Sequence, residues 1–206
     1  MSKRDPLKQL IKKFPAPEDL RKIIEGLAEE SDRSAAIVAA SILEGLLERV
    51  IIHRLKNKDT NLIGQLFSNR GPLSDFHSKI LIASAFGIIG RNAELDLNRI
   101  KTIRNVFAHA VHPVSFDTPE IHEEIGGFIV LDAMYKTAEK GKHPLPRMPN
   151  KQAYLLAVHV LCIAYDGAHQ QMGGKPIMEY FADCNPYSRA SKYYPLDERA
   201  PSPRKS

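Results

Sequence analysis

The chain has 206 residues, of which 43% are hydrophobic and 26% are charged. These are ordinary values for a globular protein, and the length suffices for one well-filled core. No apolar run reaches the ~20 residues that a membrane-spanning helix needs, and early lysines interrupt any signal-peptide core. Cys162 lies inside an apolar run, which favours a reduced, buried thiol. We therefore expect a soluble, cytoplasmic protein.

Positive charge is concentrated in an N-terminal arm, residues 1–16. Residues 1–13 carry five basic side chains and one acidic one, which gives a net charge of +4, whereas the whole chain carries +5. Residues 14–206 together therefore carry only +1. Such an arm either binds phosphates without reading bases or is simply solvated. Its candidate nucleic-acid-binding residues are Lys3, Arg4, Lys8, Lys12 and Lys13.

Helical spacing of apolar residues predicts an all-α domain over residues 17–172. A first helix is predicted over 18–30, and Ser31 or Asp32 caps a long second helix that runs to about Lys56. The wide apolar surface of this helix predicts a central position or contact with a second subunit. Further helices are predicted around 62–67, 75–89, 95–110, 119–136 and 150–172, with Ser74 as the cap of the 75–89 helix. The expected fold is a bundle of about six to seven helices.

The C-terminal extension, residues 173–206, has a different composition. It contains five prolines and ends in a basic string. It also contains five aromatic residues, whereas a solvating tail is usually poor in aromatics. We expect this extension to be partly disordered, with part of it packed on the domain or on a partner.

The segment that could carry chemistry is Arg104-Asn105-Val106-Phe107-Ala108-His109. An arginine can hold phosphate oxygens and a histidine can transfer a proton near neutral pH. Together with Asn105 they could support metal-independent RNA cleavage. Positions five apart on a helix differ by about 140°, so a shared site needs a helix that frays after Phe107, or a second copy.

The structural alternative for this segment is a polar network without catalysis. Glu44 or Glu48 of the long helix would hold Arg104 and Asn105, and His109 would cap the helix end. The predicted network therefore comprises Glu44, Glu48, Arg104, Asn105 and His109.

Two other combinations of side chains are weaker candidates. His109, His112 and His122 could suggest a metal site, but no cysteine or carboxylate cluster completes a ligand set, so we expect neither a metal nor a cofactor. Ser74, Asp75 and His77 are triad-like only in composition, because neighbours on one helical turn cannot form the relay between nucleophile, base and orienting group.

An ordered set of three segments resembles the mannitol operon repressor (MltR-like) family. The segments are Ala39–Glu44, the turn Arg70-Gly71-Pro72-Leu73-Ser74 with the helix after it, and Arg104-Asn105-x-Phe107-Ala108-His109. The likeness covers roughly residues 30–125. The Arg-x4-His spacing also resembles that of HEPN-type helical domains, many of which are ribonucleases.

The resemblance implies an all-helical regulator of transcription. No helix-turn-helix pattern is visible, since the candidate helices are too apolar to read bases. We therefore predict a non-enzymatic protein that acts through a protein partner, as a homodimer. The alternative is a HEPN-like ribonuclease that uses Arg104, Asn105 and His109.

Overall fold

A computed structural model describes residues 15–140 and 146–170 of the chain. Within these ranges the structure contains eight α-helices and no strand, which confirms the all-α prediction. The helices are α1 Pro17–Gly26, α2 Asp32–Arg54, α3 Thr60–Phe67, α4 Phe76–Ala85, α5 Arg91–His109, α6 Pro119–Gly126, α7 Ile129–Lys140 and α8 Asn150–Gln170.

Helix α2 forms the centre of the bundle. It begins at the predicted cap, where the Ser31 hydroxyl accepts a hydrogen bond from the Ser34 amide at 3.2 Å. It packs against α8, α5 and α4, so the predicted central position is confirmed. Small residues near its start and larger aliphatic ones further along are buried by these neighbours: Ala35, Ala36, Ala39, Ala40, Leu43, Leu46, Leu47, Val50 and Ile51.

Aromatic side chains join α5, the segment after it, and α8. The Phe107 and Phe116 rings lie 4.8 Å apart between centroids, and Phe116 lies 5.1 Å from Tyr154. All three residues are buried, and the Tyr154 hydroxyl donates a hydrogen bond to the Ala36 carbonyl at 3.1 Å. This cluster therefore fixes the C-terminal end of α5 against the N-terminal halves of α2 and α8.

The predicted helix over 119–136 is in fact two helices, because α6 ends at Gly126 and α7 starts at Ile129. The buried carboxylate of Asp96, on α5, accepts hydrogen bonds from the Ile129 and Val130 amides at 2.9 Å each. A carboxylate at this position satisfies amides at the start of α7 and interacts favourably with the helix dipole. The cap of α7 therefore comes from another helix, about 33 residues earlier in the chain.

The prediction that Ser74 caps α4 is wrong, because the cap is Asp75, one residue later. The Asp75 carboxylate accepts hydrogen bonds from the Ser78 amide at 2.9 Å and the Ser78 hydroxyl at 2.7 Å. These bonds hold the pKa of the Asp75 carboxyl below its ordinary value. Aspartate has the better acceptor for two donors, which explains the one-residue difference.

Two predicted segments fall largely or wholly outside the described residues. Residues 1–14 of the basic arm lie outside them, and so does the whole extension 173–206, which includes Cys184. Cys162 is fully buried in α8, as predicted. Within the described ranges, no helix has the length and apolar character needed to cross a membrane.

Candidate functional site

The Arg104–His109 segment forms the last turn and a half of α5. The helix continues without a break to His109, and the Ala110 amide still donates to the Val106 carbonyl at 2.9 Å. Phe107 is completely buried in the aromatic cluster. The segment is thus anchored by Phe107, while its polar residues lie at other angles around the helix.

Arg104 and Asn105 are half-buried and contact each other. The Arg104 Nη1 atom donates a hydrogen bond to Asn105 Oδ1 at 3.0 Å. The Arg104 charge also acts on Tyr154: burial raises the pKa of the tyrosine hydroxyl, and the guanidinium opposes that rise. Arg104 is therefore near enough to Tyr154 of α8 for its charge to act on the tyrosine hydroxyl.

His109 is exposed, unlike Arg104. Because α5 stays helical through His109, the two side chains keep the divergence of about 140° expected for positions five apart. The fraying after Phe107 that would bring them together in one chain does not occur. Of the two conditions for the ribonuclease alternative, only a second copy that supplies the missing group remains.

The end of α5 is tied to the start of α2 by other residues. Arg33 Nη2 donates to the Ala110 carbonyl at 2.7 Å, so a cation from α2 meets the C-terminal end of α5. The Asp32 carboxylate accepts from the Phe116 amide at 3.0 Å. Lys151, at the start of α8, lies 3.7 Å from the same carboxylate and also donates to the Glu30 carbonyl. Three helix ends are therefore linked at one end of the bundle.

The histidines that could suggest a metal site are placed separately. His122 Nδ1 lies 3.0 Å from Asn150 Oδ1, and the Asn150 amide donates to Asp117 at 2.8 Å. His112 is exposed on the segment between α5 and α6. Among the residues of 15–140 and 146–170, no group of three or more histidine, cysteine or carboxylate side chains could hold a metal ion.

Glu44 and Glu48, the predicted acidic partners of Arg104, contact a different cation. Lys79 of α4 lies 2.8 Å from a carboxylate oxygen of each glutamate. Only 6% of the Lys79 side chain is exposed, against 17% of Glu44 and 32% of Glu48. The sequence analysis did not single out Lys79, although its place on an otherwise apolar helix was visible. Contacts of the two glutamates with Arg104, Asn105 and His109 stay a prediction.

Two opposing effects act on the Lys79 ammonium. Burial lowers its pKa, while the hydrogen bonds and charges of Glu44 and Glu48 raise it, and the net result is a pKa above the usual 10.5. The ammonium is therefore charged at neutral pH. Two carboxylates share one cation, so this acidic cluster, Lys79 with Glu44 and Glu48, carries a net charge of −1.

The outer side of α4 exposes large apolar side chains. Leu81 is 60% exposed and Phe86 is 74% exposed, and Ala85 between them is also exposed. We call Leu81, Ala85 and Phe86 the α4 patch. Exposed apolar side chains next to one another are the usual mark of a protein interaction surface. Sequence analysis missed this patch, because an apolar residue near a helix end gives no sign of its exposure.

Comparison with known proteins supports the fold and leaves the family open. No protein-family model and no curated protein match the chain. Its structure is similar to one chain in the X-ray structure of the MtlR-HPr complex from Escherichia coli, with a TM-score of 0.54 and 17% sequence identity. The match covers 69% of this chain and 95% of that chain. At this identity the likeness concerns the fold alone.

Proposed function

We propose that this protein is a non-enzymatic regulator that acts by binding a protein partner, and that it affects transcription without reading bases itself. The observation that carries the proposal is the fold shared with a chain of the MtlR-HPr complex. The family-like segments at 39–44, 70–74 and 104–109 point to the same class of regulator. The proposed place of action is the cytoplasm.

The α4 patch is the surface that suits such a partner. Its leucine and phenylalanine can enter apolar pockets, and residues of this kind supply much of the free energy of binding at protein interfaces. Glu94 of α5 links the end of α4 to the start of α5, since its carboxylate accepts hydrogen bonds from the Ser84 hydroxyl at 2.8 Å and from the Arg91 guanidinium at 3.1 Å. The patch therefore lies where α4 is joined to α5 by a side-chain hydrogen bond.

The predicted homodimer requires a contact surface other than the broad apolar face of α2. The broad apolar face that suggested a dimer is largely buried within the chain, against α8, α5 and α4. A twofold contact uses the same patch on both copies, and an apolar patch that carries no charge suits such self-pairing. The proposal therefore places the dimer contact on the α4 patch as well, so that a second copy and the protein partner compete for the same surface.

Calorimetric titration of the full chain with Escherichia coli HPr tests partner binding. We expect saturable binding that weakens at least tenfold in Phe86→Ser, because the anchor side chain is lost. Ile163→Ser is the matched control, since Ile163 is a 57% exposed apolar residue of α8, and it should bind like the unaltered chain. Absence of binding by the unaltered chain, or equal weakening in both variants, would contradict the proposal.

Sedimentation velocity at micromolar concentration tests the dimer. We expect a dimer for the unaltered chain and for Ile163→Ser, and a shift toward monomer for Phe86→Ser. A strict monomer for the unaltered chain would remove the dimer from the proposal while leaving partner binding as a separate question.

A further inference from the structure

The stretch between α2 and α4, residues 56–74, consists of α3 and two short connections. Four of the eight residues of α3 are large and apolar: Leu62, Ile63, Leu66 and Phe67. None of the four is buried, and each side chain is half-exposed. Every other helix of the described ranges buries two or more of its residues. Helix α3 therefore takes the smallest part in the core.

Packing also sets α3 apart. The other helices each pack closely on at least one neighbour, as α1 does on α8 and α4 does on α5. Within residues 15–140 and 146–170, α3 makes only marginal contact with any other helix. Of its four apolar side chains, Phe67 is the one that rests on the hydrophobic core. Because burial of apolar surface supplies most of the free energy that holds a helix in place, little of that free energy is available to α3.

The hydrogen bonds of this stretch are local. The Asp59 carboxylate caps α3 and accepts from two amides of its first turn at 3.0 Å each. At the other end, the Leu73 amide donates to the Leu66 carbonyl at 2.9 Å. In the part of the chain that the structure describes, the hydrogen bonds of residues 56–74 all join two residues of the same stretch. The stretch can therefore move as a unit without breaking bonds to the other helices.

The rest of the domain is joined by contacts between residues far apart in the chain. Lys79 links α4 to α2, Asp96 links α7 to α5, and Tyr154 links α8 to α2. Helix α4, which follows the stretch directly, also has its own cap at Asp75. None of these contacts involves residues 56–74, so they all persist when α3 leaves its place.

From these observations we propose that residues 56–74 form a strap that opens and closes on the domain while the other helices stay folded. Segments that have little buried apolar surface and few long-range contacts are the ones that open locally. In the open state the four apolar side chains of α3 become accessible together. The strap thus gives the domain a second apolar surface, which is separate from the α4 patch and is accessible only part of the time. This inference does not depend on the proposed function.

Amide hydrogen exchange of the full chain, followed with and without about 1 M urea, tests the opening. We expect the amides of residues 63–67 in α3 to exchange about 100-fold faster than those of residues 97–105 in α5, because they exchange through local opening. Their rate should change little in urea, since local opening exposes little surface, whereas exchange in α5 should accelerate. Equal rates with equal urea dependence in the two helices would overturn the proposal, because α3 would then open only with the whole domain.

Replacement of a glycine in α3 tests whether the opening is that of the strap itself. A side chain added at Gly64 meets nothing within 4 Å, so Gly64→Ala should slow exchange in α3 about fourfold through the better helix propensity of alanine. Gly26→Ala, at the end of α1, is the matched control, because a side chain added there also meets nothing within 4 Å. It should leave exchange in α3 unchanged. Exchange in α3 that Gly64→Ala does not slow, or that both variants slow equally, would contradict the strap.

Discussion

Lys79 and Arg104 are both cations on helices that pack against α2, but they differ in burial and in their hydrogen-bond partners. Lys79 is almost completely buried and lies between two carboxylates at 2.8 Å each. Arg104, within the segment with the most suggestive sequence, is half-buried, and its guanidinium donates to the neighbouring Asn105. Arg104 has the more suggestive sequence context, but Lys79 is the cation that is buried and paired with carboxylates.

The difference follows from how each side chain meets α2. Lys79 belongs to a short apolar helix, so its ammonium has to find carboxylates within the helix interface. Arg104 lies on a longer helix whose buried face is provided by other residues, Phe107 among them. A charged side chain that its helix keeps away from water needs a partner of opposite charge inside the protein. The following predictions test how far this contrast extends.

The largest expected effect in the Arg104–His109 segment belongs to its completely buried residue, Phe107. Phe107→Ala should lower the free energy of unfolding by about 4 kcal/mol, because it leaves a cavity in the aromatic cluster. Chemical denaturation monitored by circular dichroism measures this loss. Val106→Ala, on the exposed side of the same turn, is the control and should cost far less. Similar losses for the two variants would show that the segment is not anchored through Phe107.

Loss of the buried ammonium should have the next largest effect. Lys79→Met should lower the free energy of unfolding by about 3 kcal/mol, because it leaves two carboxylates close together without their cation. Urea denaturation of Lys79→Met and of a combined Lys79→Met, Glu44→Gln, Glu48→Gln variant separates loss of the ion pairs from loss of packing. The combined variant should recover much of the stability. If it does not, packing of the lysine stem matters more than its charge.

The contribution of Lys79 should also depend on pH in the alkaline range. Its pKa is raised in the folded protein, so its stabilisation is complete below the ordinary lysine value of 10.5 and is lost as the pH rises through the higher folded value. Urea midpoints of the unaltered chain and of Lys79→Met should therefore differ by a constant amount from pH 7 to 10 and approach each other above pH 10.5. A difference that stays constant beyond this range would speak against the ion pairs.

Arg104 should matter less to stability than Lys79. Arg104→Met should lower the free energy of unfolding by about 1 kcal/mol, the usual value of one hydrogen bond at a partly buried site. Urea denaturation beside Lys79→Met measures the ratio of the two losses. A loss equal to that of Lys79→Met would support the predicted network in which Glu44 or Glu48 also holds Arg104.

The smallest expected effect is that of His109. Because its side chain is exposed, His109→Ala should change the free energy of unfolding by no more than about 0.5 kcal/mol. Incubation with single-stranded and structured RNA without metal should leave the RNA equally intact for this variant and for the unaltered chain. RNA cleavage by the unaltered chain that His109→Ala abolishes would instead establish the ribonuclease alternative.

The sequence was sufficient for features that depend on local patterns. The central helix, its Ser31 cap and the burial of Cys162 follow from apolar spacing and capping chemistry. Features that depend on residues far apart in the chain were not predictable. The cap of α7 by Asp96 and the meeting of Lys79 with Glu44 and Glu48 require helices to be placed in space first. For the same reason the exposure of Phe86 became visible only in the structure.

The turn that follows α4 has a consequence for recognition. Gly87 adopts a φ of +62°, and the amides of Gly87 and Ile88 bond back to the carbonyls of Ser84 and Ala83, which is the hydrogen-bond pattern of a Schellman motif. Phe86 is thus held on a closed turn before any partner arrives. Because its backbone is preorganised, association would lose little backbone entropy at this residue. Complex formation through Phe86 should then leave the backbone conformation of this turn nearly unchanged, unlike the binding of a loop that becomes ordered only on contact.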